Sequence, residues 1–192
     1  MKKVVFIVPP ELFRDEELLR PMEILNLEGI QTDIASTVIK TITGMKGTEI
    51  NATIKISEID PEDYDSLIVI GGTGTQTHLW NYRPLLLILK RAHEEGKLVG
   101  GICSGSVVLA HSGILAGKKA TTFPAISYFT ELKRSGAIYN PSGIEVVDNI
   151  ITGSGPDAAN EFGKAIARIL NENLNKFHES VSMPLNSPFN DV

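Results

Sequence analysis

The segment Gly101-Ile102-Cys103-Ser104-Gly105 carries the strongest chemical signal in the chain. It has the Gly-x-nucleophile-x-Gly form of a sharp strand-to-helix turn, with Cys where hydrolases usually carry Ser. Glycine on either side lets the backbone adopt a strained conformation that a neighbouring side chain would obstruct. A helix starting at Ser104 would aim its N-terminal amides at the sulfur and favour the thiolate, so the spacing predicts a thiol pKa below the ordinary value. Gly71-Gly72-Thr73-Gly74 is a second candidate. Placed after a strand, such a loop can leave backbone N–H groups unpaired and, with the N–H of Ser104, build an oxyanion hole. It is not a P-loop, because Lys followed by Ser or Thr is missing. A flavin phosphate loop would follow the first strand instead.

Glu16 and Glu17 fall in the first turn of a predicted helix, where the helix dipole favours carboxylates whatever the function. The four histidines (His78, His93, His111, His178) show no metal-ligand spacing. His111 lies eight residues past Cys103, about 12 Å along a continuous helix, and reads as structural or exposed. His78, just after the glycine loop, is an outside candidate.

These groups need a scaffold, and 192 residues suffice for one sizeable core. With 42% hydrophobic and 21% charged residues the chain is not disordered. A net charge of −5 supplies no basic field for a nucleic acid. A single Cys excludes an intramolecular disulfide and a cysteine-based zinc cage, which is the usage of a reducing compartment. The start, Met1 to Pro10, has a five-residue apolar run and then two prolines, so it reads as a first strand rather than a secretion signal. No stretch approaches the ~20 apolar residues of a membrane span. The expectation is a cytoplasmic protein with no membrane partner.

Short β-branched runs at 4–8, 32–36, 66–70 and 98–102 suit strands buried on both faces. Between them fall helical stretches. One is capped by Asp15, with Leu18, Leu19, Met22 and Leu25 at helical spacing and Gly29 after its end; others cover 84–95 and 104–112. Residues 39–56 suggest a hairpin outside the main sheet. Further strands are predicted at 120–122, 144–147 and 150–152, and a last helix at 157–173 with Phe162, Ile166, Ile169 and Leu170 on one face. The alternation predicts a three-layer α/β/α sandwich around a doubly wound, flavodoxin-like, mostly parallel sheet. One domain is expected over 1–174, with a loosely ordered tail over 175–192.

Several motifs then fall in a characteristic order. They are Glu17-Leu18-Leu19-Arg20-Pro21, Ile42-Thr43-Gly44-Met45-Lys46-Gly47, Gly71-Gly72 and the Cys103 elbow, followed by Ala120-Thr121-Thr122-Phe123-Pro124 and Gly153-Ser154-Gly155-Pro156. In this order the chain resembles the ThiJ/PfpI family of the DJ-one/PfpI superfamily over residues 1 to about 174. The resemblance implies that the Glu17 carboxyl reaches the Cys103 sulfur, donates to the thiolate and shuttles a proton; Glu16 should then point elsewhere, since adjacent helix positions face about 100° apart. It implies oxyanion donors from the backbone of Gly72 and Ser104, no metal or organic cofactor, and a homodimer or larger homo-oligomer.

Two positions depart from the pattern. PfpI-type members carry His after the nucleophile, where Ser104 stands, and DJ-type members carry His where Phe123 stands. Amide hydrolysis needs an acid for the leaving amine, so the losses weigh against the intracellular peptidase or amidase of the family. They weigh less on carbonyl chemistry, in which a thiolate adds to an aldehyde and one carboxyl moves the proton. The leading expectation is a cysteine-dependent enzyme acting on a small reactive carbonyl, of glyoxalase or deglycase type. A non-enzymatic oxidative-stress sensor or chaperone working through oxidation of Cys103 is the alternative. An isonitrile hydratase ranks below both, since that branch usually has Asp where Glu17 sits.

Overall fold

A computed structural model describes residues 1–182, with side chains through residue 172. Its strands are β1 (Lys3–Ile7), β2 (Gln31–Ser36), β3 (Thr41–Thr43), β4 (Glu49–Asn51), β5 (Ile54–Lys55), β6 (Ser66–Val69), β7 (Leu98–Ile102), β8 (Lys119–Ala120), β9 (Ile138–Tyr139), β10 (Ile144–Val147) and β11 (Ile150–Gly153). The helices are α1 (Asp15–Leu27), α2 (Thr73–His78), α3 (Arg83–Glu94), α4 (Ser104–His111), α5 (Ile126–Arg134) and α6 (Ala159–Ser182). Seven strands form the main sheet in the order β10-β11-β7-β6-β1-β2-β5, parallel throughout except for β10 against β11. This is the expected doubly wound α/β/α sandwich.

Alternation along β1 sorts the core into two layers. Val4, Phe6 and Val8 face the layer of Leu18, Leu25, Phe162 and Ile166 from α1 and α6. Val5 and Ile7 face the opposite layer with Leu85, Leu89, Val107 and Leu109 from α3 and α4. Because both faces are covered, these strands tolerate no polar alternation, which is why they read as unbroken apolar runs. Register then fixes the site. Val69 pairs with Gly101 in parallel, so the chain leaves β6 and β7 side by side, with Gly71 and Cys103 at the same carboxyl edge.

Some expectations change. Asp15 does not cap α1, whose N-cap Arg14 makes no side-chain cap bond. Its buried carboxylate instead accepts from the backbone N–H groups of Lys46 (2.8 Å) and Thr48 (3.0 Å), tying the β3–β4 hairpin to the start of α1. Burial works to raise its pKa, but the bonds from Thr48 and Lys46 outweigh it and hold the carboxyl below the usual range. The glycine loop is only Gly71-Gly72, since Thr73 and Gly74 already open α2. The strand expected at 120–122 is Lys119–Ala120, which pairs with β9 apart from the main sheet. Helix α5 is unforeseen. The last helix runs to Ser182, past its expected end at 173; the rest of the expected tail lies outside the described residues. No helix among the described residues is long and apolar enough to cross a membrane.

Candidate active site

Cys103 sits between β7 and α4 with φ 57° and ψ −124°, a conformation costly for a residue with a side chain. Its surroundings hold it there. Its N–H donates to the Gly153 carbonyl (2.9 Å), its carbonyl accepts from the Thr122 hydroxyl (2.7 Å), and a Cβ on Gly105 would lie 2.3 Å from the Val69 oxygen. The glycine demanded by the sequence motif is thus a steric requirement of α4 lying against β6.

The Gly71-Gly72 turn approaches the thiol from β6. A Cβ on Gly71 would lie 2.5 Å from Glu17 Oε2 and 2.7 Å from Cys103 Cβ, so no other residue lets the two side chains meet there. Gly72 has φ 116°, and a Cβ on it would lie 2.3 Å from the Leu12 oxygen. The backbone N–H groups of Gly72 and Ser104 lie by the sulfur and act to lower the thiol pKa. The Ser104 hydroxyl donates to the Gly72 carbonyl (2.9 Å), so the side chain standing in place of a histidine fastens the two donors to each other. The Trp80 indole N–H, in turn, donates to the Ser104 carbonyl (3.0 Å).

Glu17 reaches the site from the first turn of α1 and is fully buried. Its Oε2 accepts from the Gly71 N–H (3.0 Å). Oε1 has no nitrogen or oxygen partner among the described residues, and the group beside the carboxyl is the Cys103 thiol. A proton on Glu17 resolves both facts, because a carboxylic acid can donate to sulfur where a buried carboxylate would stand half unpaired. Burial raises the Glu17 pKa to about 8, against the Cys103 and Gly71 hydrogen bonds and the Arg14 charge, which lower it. Glu16 turns away to Arg14 and Lys46.

The depressed thiol pKa expected from the helix N-terminus does not follow. Burial pushes the Cys103 thiol up, an ionised Glu17 pushes it further, and the N–H groups of Ser104 and Gly72 oppose them. Because Glu17 keeps its proton up to about pH 8, its charge is absent at neutral pH. Thiol and carboxyl therefore titrate as one pair, and the nucleophilic form is the one holding a single proton between them.

The pair opens onto a cavity of about 240 Å³. Met45 from the β3–β4 hairpin, Phe123 and Tyr128 give it apolar walls, and Arg14 stands on its lining beside Glu17 and Cys103. A neighbouring cavity of about 330 Å³ lies across Phe123 and Pro156 and contains neither Cys103 nor Glu17. Among the described residues, no histidine lines the Cys103 cavity. His78 meets Glu11, while His111 bonds the Trp80 carbonyl (2.8 Å) and Glu131 (3.0 Å). Among the described residues no cluster of three His, Cys, Asp or Glu side chains could hold a metal. Arg14, Met45 and Tyr128 were not anticipated. Arg14 lies one helical turn before Glu17, a spacing that could have pointed to it.

The chain resembles known proteins over most of its length. Residues 2–169 match the DJ-1/PfpI family. An uncharacterized protein of Methanocaldococcus jannaschii is 39% identical over 171 residues, covering 89% of this chain and 83% of its own. A deglycase of Pyrococcus horikoshii is 35% identical over 65% of this chain and 74% of its own. A glutathione-independent glyoxalase of Caenorhabditis elegans is 27% identical over 88% of this chain and 89% of its own. Among solved structures, a ThiJ/PfpI domain protein of Brachyspira murdochii superposes with a TM-score of 0.85 at 28% identity, covering 88% of this chain and 96% of the other.

Proposed function

The chain belongs to the DJ-1/PfpI family, and from that premise we propose that it is a cysteine-dependent enzyme converting small 2-oxoaldehydes to 2-hydroxy acids. The observation that carries this reading is the buried Glu17 carboxyl beside the Cys103 thiol, in a cavity that no histidine among the described residues lines. Relatives named as a deglycase and a glyoxalase support the same general kind of activity.

In this reading the Cys103 thiolate adds to the aldehyde carbon and Glu17 gives its proton to the aldehyde oxygen, forming a hemithioacetal. The N–H groups of Gly72 and Ser104 stabilise the developing oxyanion. Glu17, now a carboxylate, removes the hydrogen on that carbon and delivers it to the adjacent carbonyl carbon. The hydroxyl proton passes to the oxygen of the adjacent carbon, leaving a 2-hydroxy thioester. Water attacks the thioester, the C–S bond breaks, and the 2-hydroxy acid departs. One carbon is oxidised and its neighbour reduced, so no external oxidant is consumed. Amide hydrolysis is disfavoured, because no described residue of the cavity matches the histidine that protonates a leaving amine.

The test is formation of lactate from methylglyoxal. Wild type should form it, Cys103→Ala should form none above background, and Glu17→Gln should lose about 100-fold or more, as removal of a general acid–base group does. Lactate formation unchanged in Cys103→Ala would refute the proposal. The unpaired Glu17 Oε1 could equally donate to an oxidised sulfur, which keeps an oxidation sensor as the second reading. Stoichiometric peroxide oxidation of Cys103 with no carbonyl turnover would select it.

A further inference from the structure

Resting on the carbonyl reading above, we propose that the cavity selects carbonyl substrates bearing a carboxylate, and that Arg14 recognises it. Of the described residues on the cavity lining, Arg14 is the one cation. Its Nε and Nη2 donate to Glu16 (2.9 and 3.4 Å), while Nη1 has no partner among the described residues. Glu16 therefore takes one edge of the guanidinium and leaves the Nη1/Nη2 edge for a second, bidentate acceptor. Glu16 does not cancel the charge, because it also pairs with Lys46, so two cations share one carboxylate.

The remaining polar groups agree with an anionic guest. The hydroxyls of Thr73 and Tyr128 are both able to donate. The one carboxyl among the described lining residues, Glu17, is fully buried and keeps its proton at neutral pH, so it does not repel an anion. Met45 and Phe123 line the rest of the cavity with apolar surface that offers a guest carboxylate no competing partner. Arg14 already acts electrostatically on Glu17, so its charge reaches the reacting centre. A carboxylate on Arg14 would thus orient an aldehyde toward Cys103 from the opposite end of a short chain.

The experiment compares 4,5-dioxopentanoate with 2-oxopentanal, 2-oxoaldehydes of equal length with and without a carboxylate. Wild type should favour the first in kcat/KM by about 10- to 100-fold, the range of an Arg–carboxylate pair, mostly through KM and less so in high salt. Arg14→Gln should bring the ratio close to one, and Arg14→Lys should keep part of it. In parallel, 2-hydroxyglutarate is titrated calorimetrically into Cys103→Ala, with and without Arg14→Gln; the added substitution should weaken binding about tenfold or more. A wild-type ratio near one, or a ratio and affinity that Arg14→Gln leaves intact, would overturn the assignment of Arg14. If neither aldehyde is turned over but 2-hydroxyglutarate binding still needs Arg14, the carbonyl reading falls while anion recognition stands. Turnover without any Arg14 dependence leaves the carbonyl reading standing and removes anion recognition by Arg14.

Discussion

Glu17 couples the chemistry of the site to the stability of the fold. In the unfolded chain its pKa is that of an ordinary carboxyl, about 4.3; in the fold it is raised to about 8. Between those values the folded chain holds a proton that the unfolded chain has released, so stability falls as pH rises across this window. The slope is on the order of 1.4 kcal/mol per pH unit, the favourable contribution being complete below about pH 4 and gone above about pH 8. Glu17→Gln carries no such proton. Urea denaturation of the two proteins should converge near pH 4 and separate progressively up to pH 8, with the Gln variant the more stable there. Parallel curves would show that the carboxyl is not buried as a neutral acid. At this scale the sequence was informative about Cys103, because flanking glycines have a steric cause that leaves a mark in residue type. It was silent on Tyr128, whose presence at the cavity depends on tertiary packing and on no local pattern.

The elements that carry these side chains are held by polar bonds which a sequence pattern represents poorly. Asp15 reads as a helix cap because of where it stands, yet two backbone N–H groups of the β3–β4 hairpin compete for its carboxylate and win. That contact also sets the hairpin bearing Met45, a wall of the Cys103 cavity. Asp15→Ala should cost about 2–4 kcal/mol, the range for losing two charge-assisted bonds to a buried group, and should raise KM more than it lowers kcat. Since its pKa is lowered in the fold, the Asp15 contribution is present above about pH 4 and lost as acid protonates the folded carboxyl. Stability indifferent to the substitution would mean that the hairpin holds itself. Helix α5 was hidden by its composition: Ile126-Ser127-Tyr128-Phe129-Thr130 is rich in residues that are weak helix formers, and Pro124 precedes it. The packing of Tyr128 between Trp80 and Phe123, with ring centroids 5.4 and 6.3 Å away, anchors its first turn where local propensity is weak.

For the whole molecule, the positions of the buried strands along the chain were readable because a parallel sheet covered on both faces leaves continuous apolar runs. Strand β10 was legible at 144–147 but its antiparallel direction was not, and the β8–β9 pairing went unread, since two- and four-residue strands carry too little pattern to fix a partner or a direction. Assembly is a separate matter, and a homodimer is our expectation: light scattering should give about twice the chain mass of 20.9 kDa, and a monodisperse monomer would refute it. The chemistry proposed for the site requires Cys103 and Glu17 to act as one nucleophilic pair. With a single cysteine in the chain, alkylation by iodoacetamide reports on that thiol alone. Its rate is to be measured against pH in wild type, Glu17→Gln and Glu17→Leu. Wild type should react faster as pH rises and level off above about 8, where the pair has lost its first proton. Gln, which still donates to sulfur, should give an inflection at lower pH than Leu, which cannot. Three coincident profiles, or a thiol inert across the range in all three proteins, would make Cys103 an ordinary buried residue and contradict the account.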